Sequence, residues 1–212
     1  MSGSPTSRTE SALLGAPLQP HSPFANLPLT SAPGRGVVAS DRDGLVIARL
    51  VARKDRLGPL TSRIRERFGL ELPLQPTRVG ANGFAFVGLG VETWLAVAAG
   101  GSAGGFTSSL REAVEDLAAV SDQTGGYAVL RLTGLRVRGA LAKFIPLDLH
   151  ARAFAPGAAA STSASHIPVT LWRLADGSDG LPVFEIAAPR SYAGSFWHVV
   201  TESAAEFGFV RE

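Results

Sequence analysis

The chain has 212 residues, 45% of them apolar and 18% charged, which supplies a buried core and argues against general disorder. It has no cysteine, so disulfides, thiol nucleophiles and cysteine-based zinc sites are excluded, and its 24 Gly and 14 Pro speak against a pure helical bundle. The net charge is only +2 although the pI is about 9.5, because Lys54 and Lys143 are the sole lysines and arginine does not titrate in that range. The high pI therefore reports missing buffer groups and predicts neither a nucleic-acid partner nor a membrane surface.

Six prolines (Pro5, Pro17, Pro20, Pro23, Pro28 and Pro33) fall in residues 1–36 and predict an extended arm. Its apolar residues Leu13, Leu14, Phe24, Leu27 and Leu29 predict that the arm lies along a surface, of this chain or of a partner. The arm lacks the continuous apolar core of a signal peptide, and nothing in the sequence approaches about 18 uncharged apolar residues, so the expected location is cytoplasmic.

Residues 37–212 are expected to form one α+β domain. Residues 45–51 read as a strand. Residues 59–68 read as an amphipathic helix, with Pro59 in its first turn and Leu60, Ile64 and Phe68 four apart. Strands follow at 83–89 and 93–98. A glycine-rich loop at 100–105 then leads to a helix with Ser109 and Glu112 as a capping box and Leu110, Ala113, Val114 and Leu117 inward. Residues 127–133 alternate as a strand. The order strand, helix, strand, strand, helix, strand is that of a ferredoxin-like split βαβ sheet. A short helix at 136–144, an irregular stretch at 145–165 and a hairpin of strands 167–174 and 183–188 elaborate it, with Pro168 expected at an edge or bulge. A closing helix is expected from about 192 to 207, with Ser191 as N-cap and Gly208 at its end.

Chemical motifs are sparse. Gly100-Gly101-Ser102-Ala103-Gly104 matches a nucleophile elbow between a strand and a helix, and Asp148, His166 and His198 follow in Ser–Asp–His order. No oxyanion loop precedes it, so a backbone connector is the favoured reading and a serine hydrolase using Ser102 the remote one. The same glycines match neither dinucleotide nor Walker patterns. His21, His150, His166 and His198 form no metal-ligand spacing. Glu115 and Asp116 read as a solvated helix face. Phe196 and Trp197 are adjacent on the last helix, about 100° apart, so one face enters the core and the other is covered either at an interface or by a wide core face of this chain.

Three C-terminal blocks carry a family resemblance. Leu147-Asp148-Leu149-His150-Ala151-Arg152-Ala153-Phe154-Ala155-Pro156-Gly157, Ala164-Ser165-His166-Ile167-Pro168-Val169-Thr170-Leu171-Trp172-Arg173, and Pro189-Arg190-Ser191-Tyr192-Ala193-Gly194-Ser195-Phe196-Trp197-His198 with Ala204-Ala205-Glu206-Phe207-Gly208 together resemble the gamma subunits of heterotetrameric sarcosine oxidases. Residues 120–134 more loosely resemble aminomethyltransferase-type folate-binding folds. Ala151 and Leu135 stand where prolines are usual, both in loops.

The resemblance implies an aminomethyltransferase-like fold and a non-catalytic subunit of a flavoenzyme that oxidatively demethylates sarcosine to glycine. That enzyme makes hydrogen peroxide and passes the one-carbon unit to tetrahydrofolate. It implies alpha, beta and delta partner subunits that hold FAD, FMN, NAD, tetrahydrofolate and zinc, with no cofactor, metal or catalytic residue on this chain. An enzyme for another N-methyl or secondary amino acid is the alternative. Docking is expected through the arm, the 146–165 loop and the last helix, with Phe24, His150, Phe154, His166, Trp172, Tyr192, Phe196, Trp197 and His198 as interface candidates.

Overall fold

Strand alternation in this chain produces two sheets, each presenting one face to the other and one face to helices. The structure, a computed structural model, describes residues 21–27, 33–81 and 83–212. The first strand, β1 (Val37–Asp41), is followed by β2 (Leu45–Ala52), α1 (Leu57–Phe68), β3 (Arg78–Ala81), β4 (Phe84–Gly90), β5 (Thr93–Ala99), α2 (Ala103–Val114) and β6 (Ala118–Asp122). Next come β7 (Tyr127–Thr133), α3 (Val137–Leu141), β8 (Ala159–Ala164), β9 (Ile167–Arg173), β10 (Val183–Pro189), α4 (Ala193–Ala204) and β11 (Phe209–Arg211).

One sheet has the order β3-β4-β5-β2-β6, all neighbours antiparallel, and comes entirely from the contiguous segment 45–122. Leu60 and Ile64 of α1 and Leu110 and Val114 of α2 pack on its outer face against Ala48, Leu50, Phe86, Trp94 and Ala96. Gly69, at φ 65°, ends α1 in the left-handed conformation that a side chain would strain.

The second sheet has the order β11-β1-β7-β10-β9-β8, with β11 parallel to β1 and the other pairs antiparallel. Its outer face carries α3 and α4 over a large core in which Phe24 is fully buried. The Phe24 and Trp197 rings lie 6.0 Å apart, and Trp197 meets Phe209 edge-on at 5.6 Å. Gly208 allows this closure: a Cβ there would lie 2.5 Å from the Pro33 carbonyl oxygen. Ile47, Val87, Leu95 and Val97 of one sheet meet Val129, Ala159, Trp172 and Ala187 of the other, giving a helix–sheet–sheet–helix sandwich.

Several sequence expectations are corrected. Residues 127–133 form a strand, but it lies in the middle of the six-stranded sheet, and β6 takes the closing position in the five-stranded one. The C-terminal hairpin and helix belong to that second sheet and do not extend the first. The stretch at 145–165 contains β8, whose small residues carry little periodic signal. Pro168 is neither bulged nor on an edge strand: β9 lies between β8 and β10, and its register with β10 reaches only to Thr170, so the missing N–H removes no bond to β10. Helix α3 is shorter than 136–144, and Tyr192, not Ser191, precedes α4. Of the expected arm, residues 1–20 and 28–32 lie outside the described residues, and with them Leu13, Leu14 and Leu29.

Candidate functional site

The layer between the sheets is apolar at one end and charged at the other. Across the antiparallel register, Arg131 of β7 stands opposite Glu185 of β10, which stands opposite Trp172 of β9. Facing pairs share one side of a sheet, so all three project toward the five-stranded sheet. Glu185 is 4% exposed and Trp172 fully buried. Oε1 of Glu185 accepts from Arg131 Nη2 at 2.7 Å and from Arg42 Nε at 2.8 Å, and Oε2 accepts from the Trp172 indole N–H at 2.8 Å. A buried carboxylate needs this degree of pairing to offset its lost hydration. From the other sheet Arg78, opposite Val87, enters the same layer. Burial pulls the Arg78 pKa down; Glu185 opposes that shift and Arg131 reinforces it.

A cleft of about 500 Å³ opens beside this cluster, lined by His21, Asp41, Arg42, Gly101, Tyr127 and Arg190 among others. Burial and the neighbouring Asp43 raise the Asp41 pKa above its ordinary value, while Arg211, the Arg42 backbone N–H and Arg190 oppose the shift.

The motif at 100–104 is resolved by local geometry. Ser102 is the N-cap of α2, and its hydroxyl oxygen accepts the Gly105 N–H at 3.1 Å. The expected capping box at Ser109 and Glu112 lies inside the helix instead. The fold does not assemble a triad. Ser102 sits above the five-stranded sheet, whereas Asp148, His166 and His198 belong to elements around the six-stranded one. Asp148 Oδ1 accepts the His150 N–H at 2.9 Å, closing a local turn. Glu115 pairs with Arg63 at 3.5 Å and Asp116 with Arg56 at 3.9 Å, both on the surface. Among the described residues no three His, Asp or Glu side chains gather as metal ligands, and no helix is long and apolar enough to cross a membrane.

The interface candidates divide by burial. Phe24, Phe154, Trp172, Phe196 and Trp197 are covered by this chain's own core, so of the two readings of the Phe196–Trp197 pair the structure shows the wide core face and not the outward one. Helix α4 buries Ala193, Phe196, Trp197, Val200 and Ala204 because the N-terminal segment and β11 cover the side of Trp197 that the sheet does not. His150, His166, Tyr192 and His198 are exposed. Sequence reasoning missed Arg42, Arg78, Arg131 and Glu185. A lone charge inside an otherwise apolar strand was the available signal for Arg131 and for Glu185.

Comparison with known proteins agrees with this architecture. The sarcosine oxidase gamma subunit family matches residues 55–206. A sarcosine oxidase subunit gamma from Arthrobacter sp. is 37% identical over 113 residues, which span 52% of this chain and 55% of that one. One from Corynebacterium sp. strain P-1 is 34% identical over 153 residues, 68% of this chain and 69% of that one. The chain thus spans only about half the length of the Arthrobacter relative. A chain in the structure of heterotetrameric sarcosine oxidase from Corynebacterium sp. U-96, in complex with pyrrole 2-carboxylate, superposes with a TM-score of 0.76 at 26% identity, covering 89% of this chain and 96% of that one. Aminomethyltransferase T of the glycine cleavage system from Bartonella henselae shares the fold, with a TM-score of 0.57 at 13% identity over 83% of this chain and 47% of that one. By family match, identity and superposition together, the chain belongs to the sarcosine oxidase gamma subunit family.

Proposed function

We propose that this chain is the non-catalytic gamma subunit of a heterotetrameric flavoenzyme that oxidatively demethylates sarcosine to glycine, releases hydrogen peroxide and passes the one-carbon unit to tetrahydrofolate. Alpha, beta and delta subunits complete the assembly in the cytoplasm and carry FAD, FMN, NAD, tetrahydrofolate and zinc. The observation that carries this reading is the superposition on 96% of a chain of heterotetrameric sarcosine oxidase at a TM-score of 0.76. The local chemistry is compatible with it: Ser102 spends its acceptor on a helix cap, and Glu185 is held between two arginines and an indole. Within the complex the residues of this chain hold surfaces and do not move protons.

The test is coexpression of the tagged chain with the products of its neighbouring genes. A yellow, four-subunit complex with sarcosine-dependent peroxide formation is expected. Recovery of the chain alone, with no flavin absorbance, overturns the reading.

A further inference from the structure

The charged end of the inter-sheet layer is out of balance. Among the described residues, three guanidinium groups, those of Arg42, Arg78 and Arg131, lie around the carboxylate of Glu185. Arg42 and Arg131 are bonded to it. Arg78 makes no hydrogen bond or ion pair through its side chain with any described residue.

Its position is set by register. Arg78 faces Val87 across β3 and β4, and Val87 belongs to the apolar cluster between the sheets, so Arg78 leaves its strand toward the six-stranded sheet. The backbone is tied there. The Arg78 N–H donates to the Gly157 carbonyl at 2.7 Å, and the Ala159 N–H donates to the Pro76 carbonyl at 3.0 Å. Across β7, β10, β9 and β8 the row runs Arg131, Glu185, Trp172, Ala159, toward the seam that carries Arg78. The cation is therefore half-buried beside a carboxylate already engaged by others. Asp41 does not answer it: Asp41 lies on the opposite face of β1 from Ser40, the residue paired with Arg131, and its charged neighbours are Asp43, Arg211 and Arg190.

A half-buried guanidinium whose nearest carboxylate is bonded to other groups costs free energy, and a planar carboxylate satisfies it with two parallel bonds. Arg78 stands on an edge strand outside the cleft beside Asp41. The loop leading into that strand exposes Leu74, 63% accessible. An arginine flanked by an exposed apolar side chain is the composition of a protein interface. We propose that Arg78, with Arg131 and Arg42 behind it, is the receptor for a carboxylate side chain on a partner polypeptide that covers the β3–β8 seam. This rests on the reading of the chain as a subunit and names the chemistry of one of its contacts.

The coexpressed complex tests it. Arg78→Gln is expected to raise the dissociation constant for this chain by about 30-fold or more, Arg78→Glu further still, and Arg78→Lys less than either. The Arg78→Gln chain by itself is expected to melt at or above the wild-type Tm, because it loses a half-buried cation that has no ion pair among the described residues. If the wild type assembles and Arg78→Gln assembles within twofold of it, the receptor assignment is overturned while the subunit reading stands. A parallel loss of Tm and assembly makes Arg78 a structural residue and also overturns it. If acetate raises the wild-type Tm, Arg78→Gln abolishes that rise and assembly is unchanged, the site takes a small carboxylate and the partner assignment is wrong. A wild-type chain that recruits no partner removes the subunit reading, and this proposal with it.

Discussion

The two halves of the molecule are built by opposite strategies. The five-stranded half is a contiguous segment, 45–122, in which β3, β4 and β5 pair with their neighbours in sequence and β2 pairs with β5 and β6 of the same segment. The six-stranded half is closed by the two ends of the described chain. Its edge pair is β1 with β11, the Val37 N–H donates to the Gly208 carbonyl at 2.9 Å, and Phe24 fills the core beside Trp197. Ordering distant segments requires loop closure before any contact forms. That cost is met by aromatic burial. The five-stranded half instead concentrates its aromatics locally, with Phe84 and Phe86 4.9 Å apart and Phe68 5.2 Å from Phe84.

Trp197→Ala gives the largest expected change, a loss of about 3–5 kcal/mol in urea unfolding. Hydrogen exchange should show protection lost first at β11 and residues 21–27. If protection falls equally across β2, β4 and β5, the halves do not differ in the way described.

Glu185→Gln comes next. It leaves Arg42 and Arg131 with a weaker acceptor in a buried layer, and a loss of about 2–3 kcal/mol is expected, again from equilibrium unfolding. A variant as stable as wild type would mean that the arginines relax into solvent and that the inter-sheet charge is not structural.

Ser102→Ala removes the α2 cap in the contiguous half and should cost about 1 kcal/mol. Sarcosine-dependent turnover of the assembled complex should be unchanged by it. An esterase activity of this chain that disappears in Ser102→Ala would restore the hydrolase reading.

The smallest effect is at Asp41, beside the cleft. Its pKa is raised, so the folded state disfavours the charged form. Stability is therefore greatest below the ordinary carboxylate pKa and falls as pH rises through the raised one. Asp41→Asn should be the more stable protein at pH 7, with the advantage vanishing in acid. An advantage that persists unchanged in acid would point to packing and not to charge.

The contiguous half was legible at the level of its elements. Leu60 and Ile64 at helical spacing placed α1, and alternation placed β2, β4 and β5. β6 escaped because a short edge strand with the burial pattern of one inward residue has little period to read. Its absence displaced β7 into the wrong sheet. The candidate site was largely illegible. A periodicity argument treats Arg131 and Glu185 as defects in apolar strands, and only the register shows that they face each other. The Ser102 motif was read as a slack connector, whereas Ser102 caps α2 and residues 103–105 form its first turn, so its partner, the Gly105 N–H, emerged only with the helix start.

The amino-acid sequence by itself determined the absence of thiol chemistry, the α+β class, most of the helices and strands, and the family resemblance that the comparisons bear out. These properties depend on composition, short-range periodicity and linear motifs. Only the tertiary structure decided that the strands divide into two sheets, that Trp197 faces inward, and that Arg78 is left beside a carboxylate already taken. Those outcomes depend on which strand pairs with which, and pairing is settled by contacts between residues as far apart as 37 and 209. No local pattern encodes them.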